Sequence, residues 1–144
     1  MDFKETGGYI MAKYFTLEEL TASETAKKKG IDNKPNEAVK VNLNILMEQL
    51  DKIREKFGSP IYVNSGYRCP ELNKAVGGVK TSQHQLGVAV DLTTRSKDLD
   101  RKLYDMIVKN FDYDQCIYES SGSSIWIHYS YVRPNRKLKF NIIK

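Results

Sequence analysis

The sequence has few of the residues on which disulfide-linked or membrane-embedded proteins depend. Its 144 residues include two cysteines, two histidines, four prolines and one tryptophan. Cys69 and Cys116 lie far apart and outside any C-x-x-C pattern, which predicts free, partly buried thiols. No apolar run approaches the roughly 20 residues that a membrane helix needs, so an integral membrane protein is excluded.

Composition and charge narrow the class further. Hydrophobic residues make up 40% and charged residues 28%, the ordinary mixture of one globular domain, so intrinsic disorder is excluded. Residues 1–13 lack the apolar stretch of a signal peptide, and we expect them to be an extension before a domain over residues 14–144.

The net charge of +5 is spread among acidic residues, except in the tail over residues 133–144, which has five basic residues and no acid. This tail is either a solvated basic edge or a surface that attracts an anionic polymer. A nucleic-acid binder would more often carry a clustered basic stripe on a recognisable motif. We therefore expect no nucleic-acid partner.

The first half of the chain predicts helices. A capping box at Thr16-Leu-Glu-Glu19 opens a short helix, and a second short helix over Ser23 to Lys29 ends at Gly30. The clearest helix starts at Pro35-Asn36-Glu37 and stops at Gly58. Its apolar residues recur at alternating steps of three and four, at Val39, Leu43, Leu46, Leu50, Ile53 and Phe57.

The second half predicts mainly strands, with one helix over Asp98 to Asn110. The predicted strands are Pro60 to Asn64, Val88 to Leu92, Gln115 to Glu119, Ile125 to Val132 and an edge strand, Lys137 to Ile143. This order of elements predicts an α+β fold in which N-terminal helices pack on a mostly antiparallel sheet.

His84 precedes Asp91 by seven residues, and the chain must turn between them if both are to bind one ion. On one strand they would face opposite sides about 23 Å apart, and on one helix they would stand about 10 Å apart. Gly87 permits a turn. The strand that follows places Asp91 beside the small side chain of Ala89, which leaves room above the carboxylate for an ion and a ligand.

His128 lies on the predicted strand Ile125 to Val132. Alternation places it on one face with Trp126 and Ser130, and apolar side chains on the other. Two histidines and one aspartate suit Zn²⁺ and leave a fourth position for water. Each of these residues alone is more often structural, and only their combination indicates a metal site.

Several segments occur together in an order that is typical of one family. They are Ser65-Gly-Tyr-Arg68, Ser82-x-His84-x-x-Gly87-x-Ala89-x-Asp91 and Trp126-Ile-His128. The set resembles the signature of the zinc D-alanyl-D-alanine carboxypeptidase family, which has the Hedgehog-like metallopeptidase fold and includes murein endopeptidases. Two further segments resemble a branch common in phage and bacterial cell-wall peptidases, namely Tyr14-Phe-Thr-Leu-Glu-Glu19 and Asn73-Lys-Ala-Val-Gly-Gly78.

The resemblance implies a zinc-dependent peptidase, endolysin-like, that hydrolyses the peptide stems of peptidoglycan. It implies that His84, Asp91 and His128 bind Zn²⁺. Arg68 falls where the family keeps an arginine that polarises the substrate carbonyl, and a surface salt bridge is its alternative role. Ser82 matches a substrate-binding position, and its alternative is a turn or cap hydroxyl.

One position departs from the family's pattern. The family often places an acidic residue three positions before its last histidine, and that residue is Ile125 here, which cannot act as a general base. Glu119 is the nearest upstream carboxylate, and Glu71 and Asp114 are weaker candidates.

The hairpin register decides whether Glu119 can serve. With a four-residue loop, Ser121 to Ser124, Glu119 pairs with Trp126 and shares the face of His128. With a five-residue loop it pairs with Ile125 and points away. We favour the four-residue loop, because a lone carboxylate on the core face is costly to bury.

Two other functions compete with the peptidase. A non-catalytic, zinc-containing wall-binding module on the same fold is supported by Ile125, and a nucleic-acid-binding domain would use the basic tail. The predicted partner is a peptidoglycan peptide, the protein is expected to be a monomer, and its substrate places its action at the bacterial cell wall. The sequence leaves open which bond is cleaved, by a carboxypeptidase or an endopeptidase.

Overall fold

The computed structural model describes residues 12–143. The predicted extension therefore lies outside the described residues except for Ala12 and Lys13, and its boundary at residue 14 stays a prediction. Lys13 is already attached to the domain, because its backbone N–H donates a hydrogen bond to the Asp51 carboxylate at 2.6 Å.

Five α-helices occur within residues 12–143, and the first three begin and end where their caps predict. Their bounds are α1 Leu17–Thr21, α2 Glu24–Lys29, α3 Glu37–Phe57, α4 Pro70–Ala75 and α5 Lys97–Asn110. The Thr16 hydroxyl accepts from the Glu19 N–H at 3.1 Å, and the Asn36 side chain accepts from Val39 at 2.9 Å. Helix α4 and a short 3₁₀ helix, Gln83–Leu86, are additional elements that the sequence patterns did not predict.

One sheet contains the described strands in the order β1-β2-β4-β3-β5. The strands are β1 Tyr62–Ser65, β2 Ala89–Thr93, β3 Gln115–Ser121, β4 Ser124–Ser130 and β5 Leu138–Ile143. Neighbours run antiparallel except β3 and β5, which are parallel. Because β4 ends opposite Gln115, the first residue of β3, and β5 begins opposite the same residue, β5 runs in the direction of β3. The α+β prediction with a mostly antiparallel sheet is confirmed.

The β3–β4 hairpin has the predicted register and a shorter loop than expected. Glu119 lies opposite Trp126, and Ser120 lies opposite Ile125. Ser121 and Ser124 also pair, so the loop has two residues, Gly122 and Ser123, instead of four. Gly122 has a φ of 60°, which suits the first central position of a type II′ turn.

The core lies between the helices and one face of the sheet. Buried leucines of α3 and residues of α5 pack with alternate residues of β2 and β4, namely Val90, Leu92, Ile127 and Tyr129. Both cysteines are free, as predicted, and burial raises the pKa of Cys116 to about 12, which keeps that thiol protonated at neutral pH. None of the helices between residues 12 and 143 has the length and apolar character required to span a bilayer. The opposite face of the central strands carries the polar side chains of the candidate site.

Candidate metal centre

Three elements bring His84, Asp91 and His128 together. His84 belongs to the 3₁₀ helix and is buried, Asp91 is the middle residue of β2, and His128 lies directly opposite Asp91 on β4. The turn after the 3₁₀ helix depends on Gly87, which has a φ of 76° and whose added Cβ would lie 2.8 Å from the Val39 side chain. The predicted turn between His84 and Asp91 is therefore present.

The distances within this group suit one small cation. Asp91 Oδ1 lies 3.4 Å from His84 Nε2 and 3.4 Å from His128 Nδ1. One ligand atom from each of the three residues can be chosen so that all lie within 4.8 Å of one another. Ligand atoms of a tetrahedral Zn²⁺ lie about 3.3 Å apart, because each bond is about 2.0–2.1 Å long. The two distances at Asp91 match that spacing.

Hydrogen bonds on the far side of each ring fix the imidazole tautomers. His84 Nδ1 lies 2.7 Å from the Gly66 carbonyl oxygen, and His128 Nε2 lies 3.1 Å from Gln115 Oε1. Both oxygens only accept hydrogen bonds, so these two ring nitrogens carry the hydrogens. His84 Nε2 and His128 Nδ1 then face Asp91, where a protonated ring attracts the carboxylate and an unprotonated ring offers a lone pair to a metal, as metal-binding histidines do.

Asp91 Oδ1 supplies the test of whether the group fits a metal. It is buried and has no hydrogen-bond partner among the described residues. A buried carboxylate oxygen without a partner is costly, and a cation between Oδ1 and the two ring nitrogens would satisfy it. Burial raises the pKa of Asp91, but interaction with the imidazoles of His128 and His84 outweighs burial and holds it below its usual range. The carboxyl is thus in the ionised form that binds metals.

The segment Ser65-Gly-Tyr-Arg68 fixes the position of His84. Gly66 supplies the carbonyl that orients the ring, and the Arg68 N–H donates to the His84 carbonyl at 3.0 Å. On its other side, the Tyr67 N–H donates to the Leu20 carbonyl in α1 at 2.7 Å. A Cβ at residue 66 would overlap that Leu20 carbonyl, so only glycine allows α1 to approach this closely.

Arg68 points into the same space as the three predicted ligands. Its Nε donates to Ser65 Oγ at 3.2 Å and its Nη1 to Asn73 Oδ1 at 3.1 Å, while Nη2 lies 3.9 Å from Asp91 Oδ2. Burial lowers the pKa of the guanidinium, and the charges of Asp91 and Glu119 act in the opposite direction. An arginine remains charged under these conditions. The site therefore contains a half-buried cation held by two side chains.

Ser82 and Glu119 both line the cleft beside the metal centre. The Ser82 hydroxyl accepts from the His84 N–H at 3.2 Å, which is the capping role considered as its alternative. Glu119 shares a sheet face with Trp126 and His128, and its Oε2 accepts from Trp126 Nε1 at 2.9 Å. The structure thus places Glu119 on the predicted face with an oriented carboxylate.

The two weaker candidates for the general base occupy other environments. Glu71 is exposed in the first turn of α4 and does not line the cleft. The Asp114 carboxylate is fully buried and accepts hydrogen bonds from Arg136 and Gln83. Arg136 lowers the pKa of Asp114 most, against the effect of burial, to about 2. Neither residue is placed to exchange protons with a ligand of the metal centre.

Sequence reasoning missed Gln115 and the Gly66 carbonyl, which orient the two histidines. The signal for Gln115 lay in the hairpin register: pairing Glu119 with Trp126 also pairs Gln115 with Ser130, on the face of His128. A backbone carbonyl such as that of Gly66 leaves no signal in residue types.

The cleft above the metal centre has a volume of about 1050 Å³ and crosses the polar face of the sheet. Its walls come from the start of α2, the segment between α4 and the 3₁₀ helix, and strands β3 to β5. Ligand pockets for small molecules usually have about 300–1,000 Å³, so the cleft has room for a peptide segment.

Comparison with known proteins places this geometry in context. A family model described as Peptidase M15 matches residues 13–130. The matched span includes the three predicted ligands, Arg68 and Glu119, and it ends before β5. No curated protein matches the chain.

Proposed function

The chain belongs to the peptidase M15 family, a family of metallopeptidases, and from this premise we propose that it is a zinc-dependent peptidase acting on peptidoglycan stem peptides. The observation that carries the proposal is the spacing at Asp91. One buried, unpartnered carboxylate oxygen lies 3.4 Å from a ring nitrogen of each histidine.

His84 Nε2, Asp91 Oδ1 and His128 Nδ1 would hold the zinc ion, and the cleft side would keep its fourth position open. Zn²⁺ at this place supplies the Lewis acidity that makes water a nucleophile near neutral pH. The three protein ligands contribute a preset geometry, because Gly66 and Gln115 hold both rings in the required tautomer.

Glu119 is proposed as the general base. Its carboxylate would accept a proton from the attacking water and return it to the departing amine. The hydrogen bond from Trp126 fixes the carboxylate on the face of His128. Glu119 would then replace the acidic residue that the family often has at the position of Ile125.

Arg68 is proposed to stabilise the oxyanion that develops on the scissile carbonyl. Its guanidinium is oriented by Ser65 and Asn73 before any substrate binds, so little reorganisation is needed. Ser82 is proposed to bind the substrate from the cleft wall, although its hydroxyl already caps the 3₁₀ helix. A substrate of this kind places the protein's action at the bacterial cell wall.

The test is digestion of purified peptidoglycan by protein with a measured zinc content. We expect one zinc per chain and new amino groups in the digest, with the released muropeptides identified by mass spectrometry. Glu119→Gln should retain zinc and its melting temperature, and kcat should fall by about 10²- to 10⁴-fold. Glu71→Gln is the matched control and should leave kcat unchanged.

The wall-binding module is the second candidate, and the absence of an acid at Ile125 favours it. It predicts one zinc per chain, retention on peptidoglycan and no new amino groups from the unmodified protein. That combination would contradict hydrolysis, and a protein that binds no zinc would contradict both candidates.

A further inference from the structure

Arg136 lines the same cleft as the metal centre, but it lies outside the residues that the family model matches. Its side chain is 55% exposed, whereas the Asp114 carboxylate behind it is almost completely buried. Arg136 Nε donates to Asp114 Oδ1 at 2.9 Å, and Nη2 donates to Oδ2 at 2.7 Å. A buried anion thus holds an exposed cation in one orientation.

The hydrogen bonds to Asp114 leave part of the guanidinium available. An arginine has five N–H groups, and the side-on pair with Asp114 uses those of Nε and one of Nη2. Among the described residues, the Arg136 side chain donates only to Asp114, through Nε and Nη2, and Nη1 makes no hydrogen bond. The remaining fork of Nη1 and Nη2 has the geometry that binds a carboxylate through two parallel hydrogen bonds.

Gln83 links this guanidinium to the metal centre. Gln83 Nε2 donates to Asp114 Oδ2 at 2.7 Å, and the same oxygen accepts from Arg136 Nη2. Gln83 is also the residue immediately before His84. Arg136, Gln83 and the three predicted metal ligands all line one cleft, so a peptide bound along that cleft could reach the guanidinium.

Resting on the proposed function, we propose that Arg136 is a specificity-determining residue that binds a carboxylate of the peptide substrate. A stem peptide with lysine at its third position has two carboxylates that fit, the C-terminal carboxylate and the α-carboxylate of the γ-linked glutamyl residue. Binding the first would favour carboxypeptidase action, and binding the second would favour cleavage within the stem.

Three versions of one peptide separate the two sources. The parent is L-alanyl-γ-D-glutamyl-L-lysyl-D-alanyl-D-alanine, and the other two have either the C-terminal or the glutamyl carboxylate converted to an amide. Affinities are measured by calorimetric titration of the zinc-free protein, so that the result does not depend on hydrolysis. We expect one of the two amides to bind about 10- to 100-fold more weakly than the parent.

Arg136→Ala should abolish that preference, and Arg133→Ala, which removes an arginine outside the cleft, should preserve it. Because Arg136→Ala leaves the buried Asp114 without its main partner, the double variant Arg136→Ala/Asp114→Asn is measured alongside, with folding checked by circular dichroism. The identity of the weaker amide tells which carboxylate Arg136 binds.

Equal binding of all three peptides by the unmodified protein, or no binding of any, would overturn the inference. A preference that survives in both Arg136 variants would also overturn it. A preference that depends on Arg136 in a protein that hydrolyses no peptidoglycan would support the inference and contradict the proposed peptidase activity.

Discussion

Asp91 and Asp114 are both carboxylates withdrawn from solvent beside one cleft, and they differ in how their oxygens are used. Asp114 accepts hydrogen bonds from the backbone and guanidinium of Arg136 and from Gln83. Asp91 Oδ1 has no hydrogen-bond partner among the described residues and faces two ring nitrogens. A structural carboxylate has its hydrogen bonds supplied by the fold, whereas a candidate metal ligand keeps one oxygen for the ion.

The pKa of each aspartate is lowered, so titration alone does not separate the two roles. Hydrogen bonds from Arg136 act at Asp114, while burial at Asp91 is outweighed by the two imidazoles. The difference lies in the partner of each carboxylate. The partner of Asp114 is a permanent cation of the protein, whereas the partners of Asp91 are two imidazole rings that can exchange a proton for a metal. The partners therefore indicate the role of each carboxylate.

The substitution Asp91→Asn is expected to have the largest effect and tests whether Asp91 and Asp114 have different roles. Removal of a protein ligand should lower zinc affinity by more than about 100-fold, since loss of a partner outside the ligand set already costs roughly 10–100-fold. Competition with a chelator measures the affinity. Asp114→Asn should retain zinc, and equal losses in both variants would mean that the two carboxylates do not have separate roles.

Asp114→Asn should instead reduce stability. The pKa of Asp114 is about 2 in the folded protein and about 3.9 in an unfolded chain. The carboxylate therefore contributes about 2–3 kcal/mol that is fully present above pH 4 and is lost as the pH falls from about 4 to 2.

Urea unfolding of the zinc-free protein at pH 7 and pH 3 measures this contribution. The difference in unfolding free energy between the unmodified protein and Asp114→Asn should be about 2–3 kcal/mol at pH 7 and smaller at pH 3. The control is Asp112→Asn, which changes an exposed aspartate two positions away and should have little effect. A pH-independent difference would show that ionisation of Asp114 is not the source of its stabilisation.

The smallest expected effect concerns Gln115. Gln115→Leu removes the acceptor of His128 Nε2–H and should weaken zinc binding by about 10-fold, because the ring loses its fixed tautomer and orientation. Gln115→Glu keeps an acceptor and should bind zinc at least as tightly as the unmodified protein. Isothermal titration with zinc distinguishes the two variants, and identical affinities would assign Gln115 to packing alone.

Interactions between residues close in sequence made much of the fold predictable. The caps at Thr16 and Asn36 and the apolar period of α3 involve residues three to seven positions apart, so they can be recognised in the sequence. The register at Glu119 was predictable because only one alignment keeps its carboxylate off the core face. The loop length was wrong because Ser121 and Ser124 extend the pairing, which no burial constraint demands.

The parts of the site that the sequence did not predict depend on residues that are far apart along the chain. Asp114 and Arg136 are 22 positions apart, and Arg136 belongs to a tail that has the composition of a solvated edge. Asp91 and the two histidines were proposed from a family resemblance and from residue chemistry, because no periodicity connects β2, β4 and the 3₁₀ helix. Contacts that depend on the order of the strands in the sheet cannot be recognised in any short stretch of sequence.

The contact at Gly66 couples the first helix to the geometry of the candidate metal centre. The Leu20 carbonyl accepts a hydrogen bond from the Tyr67 N–H, and the carbonyl of the preceding residue, Gly66, orients the His84 ring. A methyl group at residue 66 would overlap the Leu20 carbonyl. A displacement of α1 would therefore be transmitted through two hydrogen bonds to the nitrogen proposed to bind zinc. Helix α1 thus supports the candidate metal centre from outside the cleft, and we expect mutations in α1 to alter metal affinity without changing a predicted ligand.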